Sequence, residues 1–148
     1  MQSTKSEILN SKQAIKSNIQ YTNHKQYTNY NDQNRKKPFD LEERTSEYAK
    51  CIIRLCKILP TNTVNIEIIR QLVRSAGSVG ANYREANEAL SQKDFVHRMR
   101  ITRKEAKESS YWLDLLKEAN PSIEVEIDDL YRESRELRNI FSSILGKS

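Results

Sequence analysis

Apolar residues recur at intervals of three and four along most of the chain, and this spacing predicts four amphipathic α-helices. We expect the helices at about residues 40–59, 63–90, 92–119 and 124–145. The four apolar stripes are Leu41, Thr45, Tyr48, Ile52, Leu55 and Leu59; Ile69, Leu72, Ala76, Val79, Tyr83, Ala86 and Leu90; Phe95, Met99, Thr102, Ala106, Ser109, Leu113 and Leu116; and Ile127, Leu130, Ser134, Leu137, Phe141 and Ile144.

Short breaks separate these stripes. Pro60-Thr61-Asn62 and Asn120-Pro121-Ser122 interrupt the pattern, and Gly146 ends it. Ser91 with Asp94 three places later resembles a capping box, which predicts a helix start there. Because short connections join antiparallel neighbours, the fold class predicted is all-α, an antiparallel up-down-up-down four-helix bundle with a polar N-terminal tail.

Composition supports this fold class. The chain has 148 residues, a mean hydropathy of −0.81, and only three glycines and three prolines, too few turn-formers for a many-stranded sandwich or barrel. That length predicts one domain, residues 38–148. There is no apolar run of membrane-spanning length and no secretory signal, so we expect a cytoplasmic protein without a membrane partner.

Residues 1–37 differ in composition from the rest of the chain. They hold seven Lys/Arg against two Asp/Glu, whereas residues 38–148 hold eighteen of each, so the net charge of +5 resides in this tail. We expect it to be disordered or weakly helical. Two interpretations of its tyrosines, Tyr21, Tyr27 and Tyr30, stay open: a low-complexity leader with no defined role, which we favour, and rings that stack on unpaired bases.

Charge also segregates within the predicted bundle. Residues 105–136 carry ten acids against four bases, and a group of cations precedes them near the start of the third helix. This group forms either a phosphate-binding surface or an ordinary solvated helix face. Its members, the candidate nucleic-acid-binding residues, are Lys93, Arg98, Arg100, Arg103 and Lys104.

Two features point to close contacts between helices or subunits. Gly77 and Gly80 stand in mid-helix, where each costs roughly 1 kcal/mol against alanine, so we expect a neighbouring helix, or less readily a ligand, to approach them closely. Apolar residues outside the main stripes widen two helix faces and predict self-association. These flanking residues are Ile53, Val96, Ile101, Trp112 and Leu115.

The sequence lacks the residue spacings of known catalytic and metal-binding sites, so we predict no catalytic residue, no metal and no cofactor. Cys51 and Cys56 point to different sides of one helix and cannot be bridged, and His97 has no ligand partner at metal-binding spacing. The Glu-x-x-Glu pairs lack the histidine of di-iron bundles. They resemble the magnesium pairs of nucleotide pyrophosphohydrolases, a remote alternative that we disfavour because Glu88 lies opposite the core stripe.

The segment QLVRSAGSVGANYREA at residues 71–86 resembles the signature of the four-helix-bundle family of 23S rRNA intervening sequence proteins. The similarity extends over about residues 39–145 and includes Arg44-Thr45, Asp94-Phe95, Lys104-Glu105 with Glu108, and Tyr111-Trp112-Leu113. The resemblance implies a bacterial homopentamer of unknown function without enzymatic activity. A related branch, the accessory protein of diversity-generating retroelements, binds nucleic acid and a reverse transcriptase.

The resemblance and the cation group together predict a non-catalytic homo-oligomeric scaffold, a pentamer by family, that binds RNA or DNA. The alternatives are a protein-interaction hub and an accessory subunit of a reverse transcriptase. We interpret the signature positions first as structural or oligomer-forming and second as ligand-binding. They are Arg74, Gly77, Ser78, Gly80, Asn82, Glu85, Glu105, Glu108 and Trp112.

Overall fold

The computed structural model of the chain describes residues 40–147, and the predictions for the tail lie outside this part. Within it the chain forms four α-helices and no strand: α1 (Leu41–Ile58), α2 (Thr63–Asn87), α3 (Gln92–Ala119) and α4 (Glu124–Leu145). A 3₁₀ turn, Pro121–Ile123, precedes α4. Four packed helices without a strand in residues 40–147 confirm the predicted all-α class.

The helix starts follow from side-chain caps. Asn62 Oδ1 accepts a hydrogen bond of 2.9 Å from the Asn65 amide at the start of α2. Ser91 Oγ accepts one of 3.1 Å from the Asp94 amide at the start of α3, as the capping pattern predicts. The start of α3 is therefore set by Ser91.

The predicted apolar stripes form most of the core, but Ile69, Tyr83 and Ile144 are only half-buried. All six stripe residues of α1 are buried, including Ile52 and Leu55, which have no exposed surface. The stripe prediction is wrong at Leu90, because α2 ends at Asn87 and leaves this side chain fully exposed in the connection to α3. Phe95, at the first turn of α3, is only half-buried.

Each helix packs on two neighbours: α1 on α2 and α4, and α3 on α2 and α4. Helices α2 and α3 are antiparallel, because residues later in α2 contact residues earlier in α3. The pairs are Asn65 with Asn120, Ser75 with Ser109, and Glu85 with Arg98. The up-down-up-down order of all four helices stays a prediction.

A buried amide pair ties the two connections at one end of the bundle. Asn65 and Asn120 exchange reciprocal side-chain hydrogen bonds of 3.1 and 2.9 Å. Asn65 Nδ2 also donates to the Pro60 carbonyl, and Asn120 Nδ2 to the Leu116 carbonyl, both at 2.9 Å. Because these polar groups are withdrawn from water, each depends on the other for its hydrogen bonds.

The two mid-helix glycines have different environments. A Cβ built on Gly80 would lie 3.3 Å from Thr45 Oγ1, so α1 packs closely on α2 at this point. A Cβ on Gly77 would meet nothing within 4 Å, and Gly77 lies on the exposed side of α2. Among the described residues, close helix approach is therefore found at Gly80 and not at Gly77.

The cysteines are free and half-buried. Burial raises the pKa of the Cys51 thiol to about 11, with the nearby Glu47 carboxylate adding to the shift. Burial alone raises the pKa of Cys56 to about 12. Since the thiolate is the reactive form, both thiols are held in their unreactive state at neutral pH.

Candidate nucleic-acid interface

One face of α3 collects cations on the side opposite the core. Residues at intervals of four, three, four, three and four share this face of the helix, and all of them are exposed: Lys93, His97, Arg100, Lys104, Lys107 and Tyr111. Arg103 is also exposed, at the edge of the same face. We call Lys93, Arg100, Arg103, Lys104 and Lys107 the basic face.

The basic face points outward because α3 buries the apolar stripe on its other side from Met99 onward. Met99, Thr102, Ala106 and Leu113 have no exposed surface, which fixes the rotation of the helix about its axis. At a rise of 1.5 Å per residue, Lys93 and Lys107 are about 21 Å apart along the helix. The basic face is therefore a straight row of charge on a rigid element.

None of the five cations of the basic face forms an ion pair with another described residue. Ion pairs of 4.0 Å or less instead engage cations elsewhere in residues 40–147, such as Arg44, Arg54 and Lys117. A hydrogen bond to Asp128 raises the pKa of Lys117, which lies at the acidic end of α3. Exposed cations without an ion pair can neutralise the charge of a bound anion.

The structure separates Arg98 from the other candidate residues. Its guanidinium turns toward α2 and lies 4.0 Å from Glu85, with 37% of the side chain exposed. Four of the five predicted residues thus share one face, and Arg98 lies beside Glu85 of α2 instead. Sequence reasoning missed Lys107, which lies among acids in the sequence but one helical turn from Lys104 in space.

A second cluster joins α2 to α3 through four signature residues. Arg74 Nη2 is hydrogen-bonded to Glu108 Oε1, and Arg74 Nη1 lies 3.6 Å from Glu105 Oε2. Trp112 Nε1 donates to the same Glu108 oxygen at 3.2 Å. The four side chains thus form one network, Arg74–Glu105–Glu108–Trp112, which links the two helices.

Glu105 is the buried member of this network. Its Oε2 has no hydrogen-bond partner among the described residues, although Arg74 is close. Burial raises the pKa of the Glu105 carboxyl, the neighbouring Glu108 adds to the shift, and Arg74 and Lys104 oppose it. The Arg74–Glu105 pair thus joins α2 to α3, and its role in fixing the register between the two helices stays a prediction.

The remaining signature positions lie apart from this network. Asn82 Nδ2 donates to the Ser78 carbonyl one turn earlier in α2, at 2.9 Å. Gly80 receives α1, and Gly77 is exposed. The structure therefore does not bring all nine signature residues to one site.

The Glu-x-x-Glu pairs do not converge on a common point. Glu133 and Glu136 both bind Arg44 of α1, with the Glu133 carboxylate held in two hydrogen bonds of 2.7 and 2.8 Å. Glu105 and Glu108 face Arg74 instead. Within residues 40–147 no group of three His, Cys, Asp or Glu side chains is placed to hold a metal ion.

None of the helices described is both long enough and apolar enough to span a membrane. The exposed surface of α3 is instead charged along its first half. Cations at this density are typical of surfaces that contact phosphate groups.

Comparison with known proteins agrees with the fold and with the signature. The family model described as 23S rRNA-intervening sequence protein matches residues 37–143. A crystal structure of a protein of unknown function from the S23 ribosomal protein family, from Bacteroides thetaiotaomicron, is similar at a TM-score of 0.62 and 33% identity. The similarity covers 71% of this chain and 94% of that one. No curated protein matches significantly. The chain accordingly belongs to the 23S rRNA-intervening sequence protein family.

Proposed function

We propose that this protein is a non-catalytic scaffold that binds nucleic acid through the basic face of α3. The observation that supports this function is the row of five exposed cations without ion pairs among the described residues. A nucleic-acid backbone carries a charge every few ångströms, and cations that neutralise it release bound counterions. A row of about 21 Å matches about six nucleotides of a stacked strand.

A pair of charge reversals tests this function. Arg100→Glu with Lys104→Glu places two carboxylates at the centre of the basic face, and we expect at least about tenfold weaker binding of fluorescein-labelled RNA or DNA at low salt, measured by anisotropy. Arg132→Glu with Arg135→Glu is the matched control, because it makes the same charge change at exposed positions of α4.

The control should bind almost as tightly as the wild type. An equal loss of affinity in both double variants would mean that only the net charge of the protein matters. It would refute binding through the basic face. Binding that neither pair weakens would place the interface elsewhere in the chain.

We further propose that the scaffold is a homo-oligomer, with five copies as the family resemblance implies. Apolar side chains stay exposed on the outer side of α2, including Ile66 and Val73, and Gly77 lies open on the same side. Several copies in one assembly would repeat the basic face and raise affinity through multivalency.

Substitutions at Gly77 and Gly80 distinguish an effect on assembly from an effect on folding. Gly77→Leu adds a side chain where no described residue lies, so we expect a folded protein with a smaller mass in light scattering. Gly80→Leu would push α1 away at Thr45 and should instead lower the free energy of unfolding. A wild-type mass of one protomer, or an unchanged mass in Gly77→Leu, would contradict an interface on α2.

A protein partner is the second candidate function, as a hub or as an accessory subunit of a reverse transcriptase. The supporting observation is Leu90, whose side chain is fully exposed in the α2–α3 connection. It lines an open depression of about 400 Å³ together with apolar and polar residues: Ala86, Asn87, Ala89, Ser91, Gln92 and Phe95. Purified protein carrying nucleic acid, seen as a high 260/280 absorbance ratio, would favour the first function. A specific protein partner retained after nuclease treatment would favour the second.

A further inference from the structure

An aromatic ring continues the row of the basic face. Tyr111 follows Lys107 by four residues and Lys104 by seven, so it lies on the same side of α3. Its side chain is 55% exposed. A tyrosine ring in this position offers a flat apolar surface at the end of a row of cations.

The ring of Tyr111 is held in place by a neighbouring aromatic side chain. It packs edge-to-face on Trp112, with ring centroids 5.0 Å apart and an interplanar angle of 62°. Trp112 is itself held by its hydrogen bond to Glu108, which binds Arg74 of α2. The exposed ring therefore belongs to the network that joins α2 to α3, and is not a side chain isolated in solvent.

Beyond the ring the charge changes sign. Asp114 and Glu118 are exposed on the same side of α3, three and seven residues after Tyr111. Carboxylates repel a phosphate backbone, so the path favourable to phosphate ends at Tyr111. The geometry places an aromatic surface at the point where a bound strand must leave the helix.

From this arrangement we infer that the ligand of the basic face is a single strand, with one unpaired base stacked on Tyr111. The inference rests on the proposed function and adds to it the class of nucleic acid. Bases of a single strand are free to stack on an aromatic side chain, whereas those of a duplex are stacked on one another. Phosphates of the strand bind the five cations, and the terminal base covers the ring.

Anisotropy with two RNA probes tests the inference on the full chain. One probe is a labelled single strand of about twelve nucleotides, and the other is the same strand annealed to its complement. The wild type should bind the single strand more tightly. Tyr111→Ala should weaken single-strand binding about fivefold or more, and Tyr111→Phe, which keeps the ring, should restore it.

Two controls distinguish stacking from a structural effect. Tyr131→Ala removes a half-buried tyrosine of α4 whose ring lies 5.7 Å from the Arg135 guanidinium, and it should leave binding unchanged. A strand of abasic residues keeps the phosphates and lacks the bases, so the wild type and Tyr111→Ala should bind it equally. A difference on the abasic strand would show that the variant disturbs the basic face, and would overturn the stacking role.

The outcomes also separate this inference from the function on which it rests. If Tyr111→Ala binds the single strand as tightly as the wild type while Arg100→Glu with Lys104→Glu weakens binding, the inference is wrong and the proposed function stands. If the wild type binds the duplex more tightly than the single strand, the inference is likewise wrong and the proposed function stands. If the wild type binds neither probe and no DNA strand of the same sequence, both are wrong.

Discussion

Phe141→Ala is expected to lower the free energy of unfolding by about 3–5 kcal/mol. Phe141 has no exposed surface and lies on the inner side of α4. Its ring packs against Tyr83 of α2, with centroids 5.9 Å apart, so the truncation removes a contact across the bundle as well as buried area. Urea unfolding followed by far-UV circular dichroism measures the change, at one protein concentration so that the proposed assembly contributes equally to both proteins.

Phe95→Ala is the matched control for Phe141→Ala. It removes the same side chain from the first turn of α3, where the ring is only half-buried, so the expected loss is about 1–2 kcal/mol. Equal losses at the two positions would contradict the core described here. A larger loss of unfolding free energy for Phe95→Ala would indicate that the core lies nearer the α2–α3 connection.

Asn65→Ala and Asn120→Ala are each expected to cost about 1–3 kcal/mol, since each leaves the partner amide buried without its reciprocal hydrogen bonds. The double variant should cost less than the sum of the two, because the second truncation removes a group that the first has already left unsatisfied. The same urea unfolding experiment measures all three values.

Asn139→Ala serves as the control for the amide pair. Asn139 is exposed on α4, and its truncation should change the free energy of unfolding by less than about 0.5 kcal/mol. Strict additivity of Asn65→Ala and Asn120→Ala would show that the two amides do not interact, and would refute the pairing.

The amide pair also shows where sequence reasoning stops. Helical spacing predicts four helices and most of the core, because apolar burial is periodic along a single helix. Asn65 and Asn120 lie 55 positions apart, and Asn65 falls outside the predicted apolar stripe of its helix. Their pairing depends on how the α1–α2 and α3–α4 connections pack together, which the local spacing of residues does not predict.

Leu90 was misplaced for a related reason. Its spacing continues the apolar stripe of α2 by one more turn, but the chain leaves the helix at Asn87 to reach the Ser91 cap of α3. Periodicity gives the rotation of a helix about its axis more reliably than its last residue. The fully exposed side chain of Leu90 is the consequence of that early end.

The candidate site was predicted in part. Composition along the sequence identified the cation group but could not separate Arg98, which faces α2, from the four residues that face outward. Counting around the helix would have added Lys107 and Tyr111 to the group. The Arg74 network, by contrast, depends on the register between α2 and α3, which only the three-dimensional structure supplies.

The salt dependence of single-strand binding tests the central claim most directly. Each phosphate neutralised on a single strand contributes about −0.7 to the slope of log K against log salt concentration. If the basic face binds the backbone, Arg100→Glu with Lys104→Glu should make the slope shallower by about 1.4 relative to the wild type, while Arg132→Glu with Arg135→Glu leaves it unchanged. Equal slopes in the wild type and the Arg100→Glu, Lys104→Glu variant would contradict the account.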